Sequence, residues 1–115
     1  MKDKNKLKKR KQFNWTFKNG SSVHSKDLTI VYTPTRSNDF KVGFSVTKKV
    51  GKAVVRNKVK RRLREIVAKF ENILVPCRTF IVVAKPTAKD VPFLELKEEV
   101  LYLLKKANLC KDEEK

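Results

Sequence analysis

Lysine and arginine are concentrated in one stretch of the chain, residues 48–64. This stretch holds nine basic residues in 17 positions, and no acidic residue appears before Glu65. Basic side chains at this density bind polyanions, because each ammonium or guanidinium group can pair with a phosphate or another anion. A merely solvated surface would normally include glutamate. The sequence therefore predicts that a partner supplies the negative charge.

The second half of the basic stretch has the period of an α-helix. Its apolar side chains recur at helical spacing and fall within one arc of roughly 120°. The arc consists of Val55, Val59, Leu63, Ile66, Val67 and Phe70. The basic residues occupy the rest of the surface, where three like-charge pairs four residues apart together cost about 1 kcal/mol. The sequence predicts a helix that buries its apolar arc and presents its charges to the partner.

Nucleic acid and anionic membrane are the two polyanions to consider. The apolar arc is rich in valine and follows a predicted strand, which suits packing on a sheet, whereas a membrane-surface helix needs bulky apolar residues that enter lipid. No run approaches the roughly 20 apolar residues of a membrane span, and no signal-peptide pattern follows Met1. We therefore predict a cytoplasmic protein that binds nucleic acid and no membrane.

Residues suited to hydrolytic chemistry are scarce. His24 is the only histidine, and the two cysteines, Cys77 and Cys110, are far apart and form no CxxC pair. The sequence offers neither a carboxylate cluster for a two-metal site nor a cysteine and histidine set for a single metal. We predict no catalytic residue, no metal site and no cofactor bound by the protein alone. We expect both thiols to be reduced, although the sequence does not exclude a disulfide between them.

Length and charge limit the organisation of the chain. With 115 residues and a net charge of +17, it forms one domain whose encounters are governed by electrostatics. Residues 1–8 are predicted to be a disordered basic arm, residues 9–109 the folded domain, and residues 110–115 a disordered tail.

Three aromatic residues lie in a predicted first helix over residues 9–19, which Asn19 and Gly20 would end. Phe13 and Phe17 are four residues apart, so both rings would lie on one face of the helix. Aromatic pairs at this spacing belong more often to the core than to a binding surface. The sequence leaves both interpretations of this pair possible. Trp15 projects in another direction, and its exposure is undecided.

The rest of the chain contains strands and a final helix. The pattern predicts strands at residues 28–33, 40–47 and 79–84, and at best a short strand at residues 22–24. The face with Gly43, Ser45 and Thr47 has little bulk, so another chain or helix could approach it closely. The last helix is predicted to be capped by Asp90, with Pro92 in its first turn. This order fits an α+β fold with a mostly antiparallel four-stranded sheet and helices on one side.

Residues 44–65 resemble the signature of the bacterial ribonuclease P protein component. The hallmark of that family is an Arg-Asn-Arg triplet followed by a basic helix that ends in Arg-Glu. Here the triplet is Arg56-Asn57-Lys58 and the ending is Arg64-Glu65. Lys58 keeps the charge of the third position but lacks the planar fork of arginine. The resemblance extends from about residue 7 to residue 109 in segment order, spacing and length.

The resemblance implies a fold and a function. The fold is a two-layer α-β-β-β-α-β-α sandwich, similar to a domain of a ribosomal protein, with a left-handed βαβ crossover where the general rule gives a right-handed one. The function is that of an accessory subunit of ribonuclease P, an endoribonuclease in which the RNA subunit and its magnesium ions remove the 5′ leader of precursor tRNA. The protein would be monomeric.

The resemblance also divides the binding residues into two sets. The ribonuclease P RNA would bind Lys52, Arg56, Asn57, Lys58, Lys60, Arg61 and Arg64. The leader of precursor tRNA would bind Phe13, Phe17, Tyr32, Lys48 and Lys49, where stacking on exposed rings tolerates a variable sequence.

Two other classes of binding protein share these properties. A structural RNA-binding protein of ribosomal type has the same charge and fold class and no catalytic partner. An architectural DNA-binding protein usually dimerises to match a duplex, and the sequence shows no spare apolar face for that. The basic triplet and the upstream phenylalanine pair together favour the hypothesis of a ribonuclease P protein over these two classes.

Overall fold

Four strands form a single sheet. β1 (Ser21–His24), β2 (Leu28–Pro34), β3 (Lys41–Ser45) and β4 (Arg78–Ala84) lie in the order β1-β2-β4-β3. The computed structural model describes residues 2–36 and 38–111. β4 is an inner strand covered on both faces, and five of its seven residues are buried, as its apolar run predicted. The short strand predicted near residues 22–24 is confirmed as β1.

The sheet is mixed rather than antiparallel throughout. β1 pairs with β2, and β2 with β4, in antiparallel register, whereas β3 runs parallel to β4. The parallel pair follows from the connection, because the long helix between β3 and β4 returns the chain to the end of the sheet where β3 began. Two of the three strand pairs are antiparallel, so the predicted α+β fold with a mostly antiparallel sheet is confirmed. The left-handed sense of the crossover stays a prediction.

α2 (Ala53–Lys69) and α3 (Phe93–Lys106) cover one face of the sheet. Alternate strand residues such as Ile30 and Val82 point to this face and join both helices in the main core. The helices contribute Val59, Leu63, Ile66 and Val67 from α2 and Leu96, Val100, Leu103 and Leu104 from α3. The predicted apolar arc of the basic helix is therefore confirmed as its buried face.

α1 (Arg10–Asn19) lies on the opposite face of the sheet, which corrects the expectation that all helices share one side. Val31, Ile81 and Gly43 form one row across the three strands on this face. A β-carbon on Gly43 would lie 2.7 Å from Cε2 of Phe13, and one on Gly20 would lie 3.0 Å from a methyl group of Val31. The low bulk of this face therefore admits a helix, as predicted.

The start of α3 differs from the prediction. Asp90 does not cap the helix, because it belongs to a 3₁₀ turn, Pro86–Asp90, and the cap position is held by Pro92. The carbonyl of Pro92 accepts hydrogen bonds from the N–H groups of Glu95 and Leu96 at 3.0 Å. Ala88, fully buried, anchors the turn on the core, so packing rather than a polar cap sets where the helix begins.

Both ends of the described chain contact the domain. Leu7 is buried, and its N–H donates to the carbonyl of Val42 at 2.9 Å, so part of the basic arm lies along the free edge of β3. Near the other end, Cys110 pairs with Leu74 in an isolated bridge. Residues 112–115 of the predicted tail lie outside the described residues. No helix in the described ranges is long and apolar enough to cross a membrane.

A partly buried polar contact joins the turn between β1 and β2 to α3. Oε1 of Glu99 accepts hydrogen bonds from the backbone N–H of Asp27 at 3.0 Å and from the hydroxyl of Ser25 at 2.5 Å. The side-chain hydrogen bond with Glu99 lowers the pKa of Asp27, whereas burial first, and then this same bond, raises the pKa of Glu99. Of the two carboxyl groups, Glu99 is therefore the one that binds a proton more tightly.

Candidate nucleic-acid interface

The basic surface begins at the entry to α2. Gly51 has φ 157°, and a β-carbon there would lie 3.0 Å from Val55, so a residue without a side chain lets the chain turn tightly into the helix. Nε of Arg56 donates to the carbonyl of Gly51 at 3.1 Å. This bond holds the guanidinium group beside the first turn of the helix.

The first turn of α2 is itself suited to an anion. Lys52 occupies the cap position without a side-chain hydrogen bond, and the turn contains no acidic residue. The first amide N–H groups of a helix lack intrahelical acceptors, and the helix dipole adds partial positive charge there. Phosphate oxygens can accept hydrogen bonds from such groups while nearby lysines neutralise the charge.

The outer surface of α2 is basic along its length. Asn57, Lys58, Arg61 and Arg64 are exposed, whereas Arg56 and Lys60 are half-buried along the edge of the apolar arc. Within residues 2–36 and 38–111, none of the basic side chains of α2 forms an ion pair with a carboxylate. The charge of this helix is thus available to a partner.

Lys48 and Lys49 lie in the turn that joins β3 to α2, and both are exposed. The next residue, Val50, is completely buried, and its N–H donates to the carbonyl of Thr47 at 3.0 Å. The buried valine anchors the turn, so the two lysines project from the sheet end nearest the start of α2.

The phenylalanine pair lies on one flank of α1. The ring centroids of Phe13 and Phe17 are 6.0 Å apart with planes tilted by 36°. Phe13 is half-buried against Gly43, and Phe17 is 43% exposed. The buried residue of the helix is Thr16, whose hydroxyl donates to the carbonyl of Gln12 at 2.8 Å. The aromatic pair is therefore a partly open surface rather than core.

Tyr32 is not brought together with the phenylalanine pair. It follows Ile30 by two residues in β2, so it points to the face covered by α2 and α3, and it packs against the main core. Sequence position alone could not show this, because the face of the sheet that α1 covers is set by contacts distant in the chain.

A groove of about 210 Å³ at the free edge of β3 connects the two predicted sets of residues. Phe13 lines it from α1, and Lys60 and Arg64 line it from α2. Lys6 and Lys8 of the N-terminal arm complete the lining. These two lysines were not among the predicted contacts, and only the docking of Leu7 on β3 places them here.

A second groove, of about 430 Å³, lies beside Trp15 on the other flank of α1. Lys11 and Lys41 also line it, and Trp15 is 55% exposed. Helical geometry indicated that Trp15 and the phenylalanine pair point in different directions. The groove itself follows from where the helix crosses the sheet, which the sequence did not show.

The described residues contain no group that resembles a hydrolytic centre. His24 is on the edge strand β1, where its Nδ1 lies 3.0 Å from the hydroxyl oxygen of Thr29. No three histidine, cysteine, aspartate or glutamate side chains in the described ranges lie close enough to hold a metal ion.

Proteins with similar sequences share one description. A Bacillus velezensis protein described as "Ribonuclease P protein component" is 39% identical over 113 residues, which cover 96% of each chain. A Geobacillus protein of the same description is 33% identical over 113 residues, covering 96% of this chain and 97% of the relative.

Solved structures agree with the sequence comparison. The Staphylococcus aureus RNase P protein superposes with a TM-score of 0.86 at 30% identity, covering 93% of this chain and 98% of that one. The RNase P protein from Thermotoga maritima, in complex with 1-(4-fluorophenyl)-2-thiourea, superposes with a TM-score of 0.80 at 28% identity, covering 87% and 97%. The ribonuclease P family model matches residues 1–108. A match over nearly the whole sequence, with the same fold in solved relatives, places this chain in the ribonuclease P protein family.

Proposed function

We propose that this chain is the protein subunit of a ribonuclease P ribonucleoprotein and promotes removal of the 5′ leader from precursor tRNA. The observation that carries the proposal is the groove at the edge of β3, where Phe13 and the basic residues Lys60 and Arg64 share one lining. The surface assigned to structured RNA and the surface assigned to a single strand therefore meet in this groove. Membership of the family and the names of its relatives support the same assignment.

The catalytic RNA is assigned to α2 and its entry. The contacts are Lys52, Arg56, Asn57, Lys58, Lys60, Arg61 and Arg64. The helix has an exposed basic surface without internal ion pairs, and its first turn can donate N–H groups to phosphate. Arginine suits the bidentate contacts of an RNA backbone, whereas Lys58 contributes a point charge.

The leader is assigned to the phenylalanine flank of α1. Phe17 is open to stacking, Phe13 borders the groove that leads to α2, and Lys48 and Lys49 would neutralise phosphates near the junction. Stacking on rings is worth about 1–3 kcal/mol per base and depends little on sequence, which suits leaders that differ between tRNAs. The predicted contact of Tyr32 with the leader has the least support, because its ring packs against the core on the other face.

Cleavage is assigned to the RNA subunit and magnesium ions bound by it. The described residues of the protein provide neither a carboxylate cluster nor an activated nucleophile, and the Asp27–Glu99 pair is engaged in partly buried hydrogen bonds. The protein would act by raising affinity for the substrate and by favouring productive metal binding in the RNA. We infer that it acts as a monomer in the cytoplasm.

Reconstitution tests the proposal. The purified protein is mixed with a bacterial ribonuclease P RNA and a 5′-extended precursor tRNA at low magnesium concentration, and leader release is followed. Cleavage at the mature 5′ end that requires both protein and RNA is the expected result. Tight RNA binding without any rescue of cleavage would contradict the proposal and favour a structural RNA-binding protein of ribosomal type.

A further inference from the structure

The groove beside Trp15 lies on the opposite flank of α1 from the surface assigned to the leader, and Leu7 is the residue that lines both grooves. Its floor includes Thr33, Thr79 and Lys41, which form one row across β2, β4 and β3. This row is two residues along each strand from the row beneath α1 that contains Gly43. Neither Phe13 nor Phe17 lines the groove. The helix therefore separates two surfaces, one with the phenylalanine pair and one with the tryptophan.

The residues around Trp15 have the chemistry of a single-strand contact. Within the described ranges, the indole ring of Trp15 stacks on no other aromatic ring and its N–H forms no hydrogen bond. Lys11 and Lys18 lie four residues before and three residues after it, so both are its neighbours on the helix surface. No carboxylate is among the described residues that line the groove. An exposed ring between positive charges provides a stacking platform with phosphate contacts on either side.

The size of the groove fits a small occupant. Its volume of about 430 Å³ lies in the range of pockets that hold a single small ligand. Pro34 and the two threonines give it a floor that is partly apolar and partly able to form hydrogen bonds. Such a floor can accommodate a base or ribose while the phosphates remain at the basic rim.

We propose that this groove binds one nucleotide of single-stranded RNA, with the base stacked on Trp15 and the phosphates near Lys11, Lys18 and Lys41. The inference rests on the proposed function, because it adds a second single-strand contact on the flank of α1 opposite the leader. The strand can come from the substrate or from the catalytic RNA, since both present the same chemistry. Stacking predicts little preference among bases.

Trp15 is the only tryptophan in the chain, so its fluorescence reports on the groove directly. Titration of the full chain with a short oligouridylate should quench this fluorescence in a saturable manner. The quenching should persist in Leu94→Ala, a change at an exposed residue of α3, and it should need more RNA when Lys11→Ala and Lys18→Ala are present. Absence of quenching, or equal quenching in the wild type and the lysine variant at every RNA concentration, would overturn the proposal.

A labelled oligouridylate measures the contribution of the ring. Trp15→Ala should weaken binding by about 5- to 150-fold, the range expected for one stacked base. Trp15→Leu, which keeps an apolar side chain, should weaken it comparably. Leu94→Ala is the matched control, because Leu94 is also largely exposed but lies on α3. Equal binding by the Trp15 variants and the control would refute the stacking contact.

Trp15 fluorescence in the reconstituted complex identifies the source of the strand. A change on adding the catalytic RNA alone assigns the groove to that RNA, and a change only on adding leader-bearing precursor assigns it to the substrate. No change at either step would overturn the proposal. Leader release in the same samples tests the proposed function independently, because cleavage without a change at Trp15 rejects only the groove, whereas saturable quenching by oligouridylate without cleavage rejects only the function.

Discussion

α2 and α3 pack on the same face of the sheet, but their outer surfaces follow opposite rules. α3 has Glu95 in its first turn and Lys105 and Lys106 in its last, the placement that the helix dipole favours. α2 has no acidic residue in its first turn, and like charges succeed one another along it. The comparison teaches that the charges of α3 favour folding, whereas those of α2 oppose it slightly, a cost that the proposed RNA binding would offset.

The largest expected effects test whether the buried sides of α2 and α3 contribute equally to stability. Leu63 of α2 and Leu103 of α3 are completely buried in the same core. Leu63→Ala and Leu103→Ala should each lower the free energy of unfolding by about 2–5 kcal/mol. Urea denaturation followed by circular dichroism measures both. A much smaller loss for Leu63→Ala would show that α2 is less firmly anchored than α3.

The next effect separates the outer surfaces. Arg56→Ala combined with Arg61→Ala should weaken binding to structured RNA and reduce the slope of log K against log salt by close to two units, because each lost phosphate contact removes about 0.9 unit on a duplex. Lys105→Ala combined with Lys106→Ala removes the same charge from α3. Binding measured over a range of salt concentrations should leave the α3 variant near the wild type. Equal losses would mean that net charge, rather than α2, determines binding.

The next prediction concerns the pH dependence of stability that arises from Glu99 of α3 and its partner Asp27. Because the pKa of Glu99 is raised from 4.5, its contribution to stability is present below that value and is lost as the pH rises through the raised pKa. The pKa of Asp27 is lowered from 3.8, so its contribution is present above 3.8 and is lost as the pH falls through the lowered pKa. Lys26, Lys85 and Thr87 also act on Asp27.

Glu99→Gln should therefore remove the loss of stability at rising pH, since the amide stays neutral and can donate to Asp27. Thermal melting should give a Tm for the wild type that falls relative to the variant as the pH rises above 4.5. Glu98→Gln, at an exposed neighbouring position, is the control and should follow the wild type. Identical pH profiles for all three proteins would contradict a raised pKa of Glu99.

The smallest effect tests the cost of the basic surface. Lys60→Glu places an acid between Arg56 and Arg64, four residues from each, and should stabilise the free protein by roughly 0.5–1 kcal/mol. The same change should weaken RNA binding, because Lys60 lines the groove between α1 and α2. Denaturation and RNA binding are measured on one preparation. A loss of stability would show that Lys60 supports the fold through its half-buried stem.

Local patterns predicted the helices and strands, but not their spatial arrangement. The period of Val59, Leu63 and Ile66 identified the buried side of α2, and the apolar run identified β4, because each signal is contained in one segment. The mixed sheet and the position of α1 depend on contacts between distant segments. Asp27 and Glu99 are 72 residues apart, and no local pattern marks their contact.

The candidate site shows the same limit. Helical spacing grouped Phe13 with Phe17 and separated them from Trp15, and a helix at the predicted position follows that geometry. Tyr32 was placed with them by the resemblance, whereas the alternation along β2 turns it to the other face. The part played by Lys6 and Lys8 depends on a single docking contact, Leu7 on β3, which composition does not reveal.

Gly43 acts as a spacer that sets the height of α1 above the sheet. Because the ring of Phe13 rests where a side chain of residue 43 would begin, any larger residue must displace the ring or lift the helix. Lifting α1 would widen the groove at the edge of β3 and the groove beside Trp15 together. A substitution at Gly43 would therefore alter the shape of both grooves at once.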